Sequence, residues 1–333
     1  PDESEYQKEQ ARLTEVMREK LPPNPASQVK LPVKSYLISG GGGFCWLEAA
    51  SGLANYLEPD IDLDKFILYD HPTLFMAARD RNQRYGPGLS MIHAFVNLGY
   101  TPFRGATSPI HPPQNIFPDI DPQNFIYFKN TDEEFVFMKK LLSAGIVPII
   151  GISNDPFENI SGGAFVSVTG YDQNGVWINV SPPSEKYAPG KKYFLEPPDR
   201  YEARLVSYDK FRQVWTGEHQ LFWFMKTGNR KTEGEIYAEN KKNAREAPAN
   251  MQKTIEFLKA NGDLQLFTYS SDTPTAAALY RYFQKKGNPD LANQYLQLAN
   301  TYESPNPKDG RQKMIETLTS AYPSISKAAT MWP

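Results

Sequence analysis

The sequence predicts an α+β fold built on an antiparallel sheet, with an all-α domain after it. Three observations predict this. Trp46, Ala50, Leu53 and Leu57 recur at steps of four, three and four after Cys45 and stop before Pro59, the spacing of one apolar helix face. The period then shortens to that of strands in 147–152, 163–170, 176–180, 193–196 and 221–225. Within that stretch Asp172-Gln-Asn-Gly175 reads as a tight hairpin turn that places glycine where φ is positive. From Asn229 onward the pattern is helical. Helices followed by hairpin-linked strands specify an α+β domain. A chain of 333 residues exceeds what one core usually serves, and it divides into a helical extension (1–30), the α+β domain (31–228) and a helical domain (229–333).

Taken in order, residues 3–20 form a mostly polar helix stopped by Leu21-Pro22-Pro23-Asn24-Pro25, an extension outside the core. Leu31 to Ile38 runs extended into four glycines, where the backbone can approach another group closely. Asp60, Asp62 and Asp64 alternate, but the glycine and distal glutamate of a calcium loop are absent, so they read as capping and solvated groups. Helical segments follow at 73–81 and 89–98, the second ending at Gly99 and carrying His93 as a packed side chain rather than a ligand. A Pro-rich loop at 108–113 holds His111. Thr131-Asp-Glu-Glu134 then forms a capping box, and Gly145 closes the helix it opens.

In the C-terminal domain, helices are expected at 235–243, 251–261, 276–285, 289–302 and 314–320. Gly287 stops the third and Asn288-Pro289 starts the fourth, which makes an antiparallel helical hairpin. Its aromatics Tyr280, Tyr282, Phe283, Tyr295 and Tyr302 belong to a core rather than a ligand cage.

Composition narrows the function classes. Hydrophobic residues make up 40% of the chain and aromatics 13%, enough to fill cores, and the net charge is −2. Lys139-Lys140, Lys191-Lys192 and Lys241-Lys242 are short and scattered, so nucleic acid is not an expected partner. One cysteine excludes an intrachain disulfide, no Cys/His cluster has zinc spacing, and no motif implies a metal or organic cofactor. No apolar run approaches the roughly eighteen residues of a membrane span. A chain starting at Pro1 is what processing or trimming leaves, so a secreted or periplasmic location stands beside a cytoplasmic one.

The chemistry concentrates at Ser39-Gly-Gly-Gly-Gly-Phe-Cys45-Trp46-Leu47-Glu48. A thiol at a helix start meets unpaired N–H groups and the positive end of the helix dipole, which favour the nucleophilic thiolate. Cys45 is therefore a candidate nucleophile. Glu48, one turn along, opposes thiolate formation if it lies close. The glycines do not make a phosphate loop, since no Gly-Lys-Ser/Thr follows.

The glycine loop, the Phe-Cys-Trp-Leu-Glu-Ala-Ala helix, the helix ending Asn97-Leu-Gly-Tyr100, the capped helix and strand, and Gly163-Ala-Phe-Val-Ser-Val-Thr-Gly170-Tyr171-Asp172 follow one another in an order with a family likeness. With the closing segment 206–215 and the strand at 221–225, they resemble the papain-like family of bacteriocin-leader-processing cysteine peptidases and their stand-alone relatives, over residues 31–228. The resemblance implies a papain-like fold and four roles: an oxyanion-hole glutamine, the cysteine, a histidine base and an orienting aspartate. Carried over, the glutamine position is Ser39, the nucleophile Cys45, the histidine position Ala164 and the aspartate position Ser181, before Pro182. Only the cysteine is kept.

Alanine cannot accept a proton, so a general-base contribution of roughly 10²–10⁴-fold is lost. The resemblance thus implies a peptidase-like protein with degenerate or lost hydrolysis and a cleft that binds a peptide or protein. The alternative is an active cysteine peptidase, amidase or thiol acyltransferase. In that case Cys45 draws its base from a non-standard position, with His111 and His219 as candidates.

Overall fold

The computed structural model describes residues 8, 15–17, 19–36, 45–69, 91–107, 124–157, 163–180, 200–215, 221–260, 272–301 and 310–331. Outside them lie Ser39 and the glycine loop, His71, segment 73–81, His111, Ser181, segment 193–196, His219 and Tyr302.

Alternation along strand β10 (Leu221–Lys226) sets the layering. Leu221 and Trp223 belong to one buried cluster, Phe222 and Phe224 to another, so this strand is covered on both faces. It lies inside an eight-stranded sheet ordered β4 (Phe125–Tyr127), β3 (Tyr100–Ala106), β10, β5 (Ile149–Ile152), β6 (Ala164–Tyr171), β7 (Gly175–Asn179) and β9 (Arg204–Ser207). Strand β1 (Val29–Lys30) pairs with β6 beyond the stretch taken by β5. The fold is α+β, but the sheet is mixed rather than purely antiparallel, because β3 and β4 run parallel. The connection from Ala106 to Phe125 exceeds the roughly dozen residues that a parallel return requires. Pro102 and Gly105 interrupt the apolar alternation of β3, which hides it from a periodicity reading.

One face of the sheet carries α1 (Cys45–Leu57), α2 (Leu63–Tyr69) and α3 (Met91–Asn97), and the far face carries α4 (Thr131–Ser143) and α5 (Tyr208–Val214). Beside α1, β2 (Lys34–Tyr36) and β8 (Arg200–Glu202) form a two-stranded ribbon. The N-terminal segment is not outside the core: Met17 and Leu21 are buried in the far-face cluster, apolar side chains that its polar composition disguised.

The helix ends are largely as the sequence indicates. The cap of α4 is Asn130 rather than Thr131; its side chain accepts from the Glu133 amide, and Glu133 accepts from the Lys129 amide. At Gly145 (φ +77) the Ile146 amide bonds back to Leu141 and the Gly145 amide to Leu142, a Schellman ending. Gly175 does not have positive φ. Asp172 instead holds the turn by accepting from the Asn174 and Gly175 amides, and a Cβ at Gly175 would overlap the Val206 carbonyl of β9.

The C-terminal helices are α6 (Glu233–Lys259), α7 (Asp272–Lys285), α8 (Pro289–Thr301) and α9 (Gly310–Met331). The two helices expected at 235–243 and 251–261 are one, running through Pro248, with Ile236, Met251, Ile255 and Leu258 buried along its length. Packing of both halves into one cluster offsets the hydrogen bond that proline removes. Gly287 (φ +72) closes α7 and Asn288 caps α8, giving the expected hairpin, in which Phe283 and Tyr295 stack at 5.7 Å. Ile236, Leu279, Tyr295 and Leu318 join the same buried cluster as Trp46 and Phe95. Among the described residues no helix is long and apolar enough to cross a membrane.

Candidate active site around Cys45

Helix α1 is buried more completely than a single apolar stripe requires: every residue from Trp46 to Ala54 is buried. The sheet takes one side and the β2 ribbon another. Gly52 permits that approach, since a Cβ there would lie 2.6 Å from the Lys34 carbonyl. Two contacts fix α1 along β6. The Ser167 hydroxyl donates to the Ala49 carbonyl at 3.2 Å, and the Phe165 amide donates to Cys45 Sγ at 3.4 Å. Between them Trp46 meets Phe165 edge-on at 4.8 Å and Phe222 at 5.1 Å. These aromatics close the sheet side of the helix start.

Cys45 keeps some exposed surface, yet protein surrounds its sulfur closely enough that lost hydration pushes the thiol above its ordinary pKa. The Phe165 amide works in the opposite direction, the buried Glu48 carboxylate raises the value further, and the amides of Trp46 and Cys45 itself lower it. The helix start therefore acts as expected but is outweighed, and the sequence-based expectation of a stabilised thiolate is overturned by burial. Glu48 acts in the direction anticipated for a nearby acid.

Ala164 opens β6 opposite Ile152, one residue before the amide that meets the thiol. Its methyl group packs with the far-face cluster, while Phe165, Ser167 and their face turn to α1. The chain enters the strand through Gly163, where a Cβ would lie 2.7 Å from the Ile152 carbonyl. The structure thus brings Cys45, Glu48, Phe165 and the backbone of Ala164 together. His93, the one described histidine, faces α6, with Nε2 4.0 Å from Glu239 Oε1. Ser39, Ser181, His111 and His219 lie outside the described residues.

Two of the cavities lined by described residues lie elsewhere, and neither is lined by Cys45. One of about 410 Å³ sits between α2, α6 and α7 around Leu68, Tyr237 and Tyr282. The other, of about 690 Å³, sits between Met17, Phe128 and Phe137. Among the described residues no group of three or more His, Cys, Asp or Glu side chains is placed to hold a metal ion.

Three interactions escaped the sequence reading. The partner of Cys45 is a main-chain amide, which leaves no residue-type signal, although the alternation of β6 indicates that Phe165 and Ser167 share a face. The acids at 60–64 are not simply solvated. Asp62 caps α2 by accepting from the Lys65 amide, but Asp60 pairs with Arg230 and Asp64 with Arg281. No protein-family model and no curated protein matches the chain.

Proposed function

We propose that this chain is a papain-fold cysteine peptidase-like protein whose hydrolytic machinery has degenerated, and that its cleft binds a peptide or protein rather than cutting it. The observation that carries the reading is the Cys45–Phe165 contact. The nucleophile position at the start of α1 faces the head of β6, but what meets the sulfur there is an amide, and the side chain that β6 turns to this face is the phenyl ring of Phe165. A thiol raised above its ordinary pKa, with no base beside it among the described residues, presents little thiolate at neutral pH. The order of motifs over 31–228 supports the family reading, and Ser39 and Ser181 at the glutamine and aspartate positions support loss of activity.

The test is turnover of a peptide and ester library by the wild type and by Cys45→Ala, alongside capture of peptides from the same library. Peptide retention equal in both proteins, without turnover in either, is the expected result. Turnover that disappears in Cys45→Ala would sink the degenerate reading and return the active enzyme, with His111 and His219 as the next substitutions.

A further inference from the structure

The far face of the sheet holds an ionisable group that the Cys45 site does not use. Glu134 lies in α4 with no solvent exposure, on the same face as Phe135, Met138, Leu141 and Leu142, and neither carboxyl oxygen has a hydrogen-bond partner. Aromatic packing walls this face. Phe135 meets Phe211 and Trp215 of the α5 region, and Phe137 meets Trp223 of β10 at 5.2 Å. A carboxyl can sit in such a place as a neutral acid. As a carboxylate it would need a donor or a counter-charge, and among the described residues neither is at hand.

Among the described residues, the charged and titratable groups on the surrounding elements are directed elsewhere. Arg212 of α5 pairs with Asp132, and Lys139 lies over the rings of Phe135, Tyr171 and Tyr208. Glu133 is taken up by the α4 cap, Asp209 is exposed, and the Tyr208 hydroxyl donates to the Asp172 carbonyl. Strands β5 and β10 present only apolar side chains to this side. Burial alone raises Glu134 to about 8 from the ordinary 4.5, with no charged neighbour contributing. Proximity to the start of α4 favours the carboxylate, but one helix end does not replace lost hydration.

We propose that Glu134 is a proton-operated latch: α4 stays seated on the far face while the carboxyl carries its proton, and lifts from it when the proton leaves to solvent. The direction follows from the raised value. The seated acid keeps its proton to about pH 8, whereas an exposed carboxyl releases it near the ordinary 4.5, so the lifted form gains on the seated one as pH rises between those values and gains no further above pH 8.

The experiment follows near-ultraviolet circular dichroism of the buried Trp215 and Trp223, together with hydrogen exchange at α4 amides corrected for intrinsic rate. Both are read from pH 6 to 9.5 on the full chain. In the wild type, α4 protection is expected to fall about tenfold per pH unit from pH 6 and to level off near pH 8, ahead of the sheet amides, while far-ultraviolet helix signal persists. Glu134→Gln and Glu134→Met are expected to hold both readings flat. A wild-type profile that stays flat, or that falls together with the sheet, overturns the latch even if neither variant folds. So does an unchanged fall in whichever variant folds.

Discussion

The Phe165 amide donates to the Cys45 sulfur at 3.4 Å, so the nucleophile position is met by the backbone of β6 and not by a side chain that can take a proton. The thiol is held in its protonated form by the loss of water around it and by Glu48. Iodoacetamide labelling of the native chain at pH 7 should be slower than labelling of the urea-unfolded chain, since a raised pKa removes thiolate at that pH. The native rate should climb only above the range of an ordinary thiol. The absence of any other cysteine makes mass spectrometry of the whole protein sufficient. Rapid labelling persisting below pH 7 would show an activated thiolate and reverse this account of the site.

Replacing Ala164 by histidine tests whether one substitution restores a base. The methyl group of Ala164 packs with the far-face cluster, and Phe165 occupies the face toward α1. An imidazole at 164 is therefore directed into packed apolar side chains. Ala164→His should destabilise the protein by about 1–3 kcal/mol, the usual cost of overfilling, and leave Cys45 labelling at pH 7 unchanged. A rise in labelling rate that follows a titration near pH 6 to 7 would mean that the strand start presents this position to the thiol.

Much of the fold was legible because it rests on local rules. The α1 stripe, the Asp172 turn, the Gly145 and Gly287 helix ends and the period-two alternation of β6 and β10 each declare themselves within a few residues. What was hidden depends on long-range partners. Strands β3 and β4 are defined by pairing more than by pattern, and Pro248 ceases to break α6 only because both halves of that helix are packed. The site divides in the same way. Cys45 at a helix start was readable, whereas the sign of its pKa shift was not, because burial is a property of the assembled sheet and helices. Glu134 carried a signal that capping-box reading masked: with Met138 and Leu141 it completes a helical stripe at steps of four and three.

The junction between α2 and the C-terminal helices contains a second long-range feature. Arg281 clasps Asp64 with Nε at 2.8 and 2.9 Å from the two carboxylate oxygens and Nη2 at 2.6 Å from one, and both side chains are only 16% exposed. Removing one member leaves the other charge poorly hydrated, while removing both does not. Asp64→Ala should cost about 3 kcal/mol in urea unfolding, and Asp64→Ala combined with Arg281→Met should recover more than half of that loss. Strictly additive losses would show that the pair contributes through packing of its stems rather than through charge.

Global stability supplies a separate test of Glu134, independent of whether α4 moves as a unit. The folded chain holds this proton up to about pH 8, whereas the unfolded chain releases it near the ordinary 4.5. Between those values the native state binds more protons than the unfolded state, so this group's contribution to stability declines as pH rises through the window and levels off above pH 8. The full span is on the order of 3–5 kcal/mol from a shift of this size. Urea unfolding of wild type and Glu134→Gln at half-unit intervals from pH 4 to 9 should therefore give curves that diverge in favour of the variant up to pH 8 and run parallel beyond it. The slope of the difference is the diagnostic quantity, because a buried amide that finds no partner lowers the variant by a constant offset at every pH. Curves parallel across the whole range would mean that the carboxyl ionises in the folded chain as readily as in water, which a fully buried group without a hydrogen-bond partner does not do.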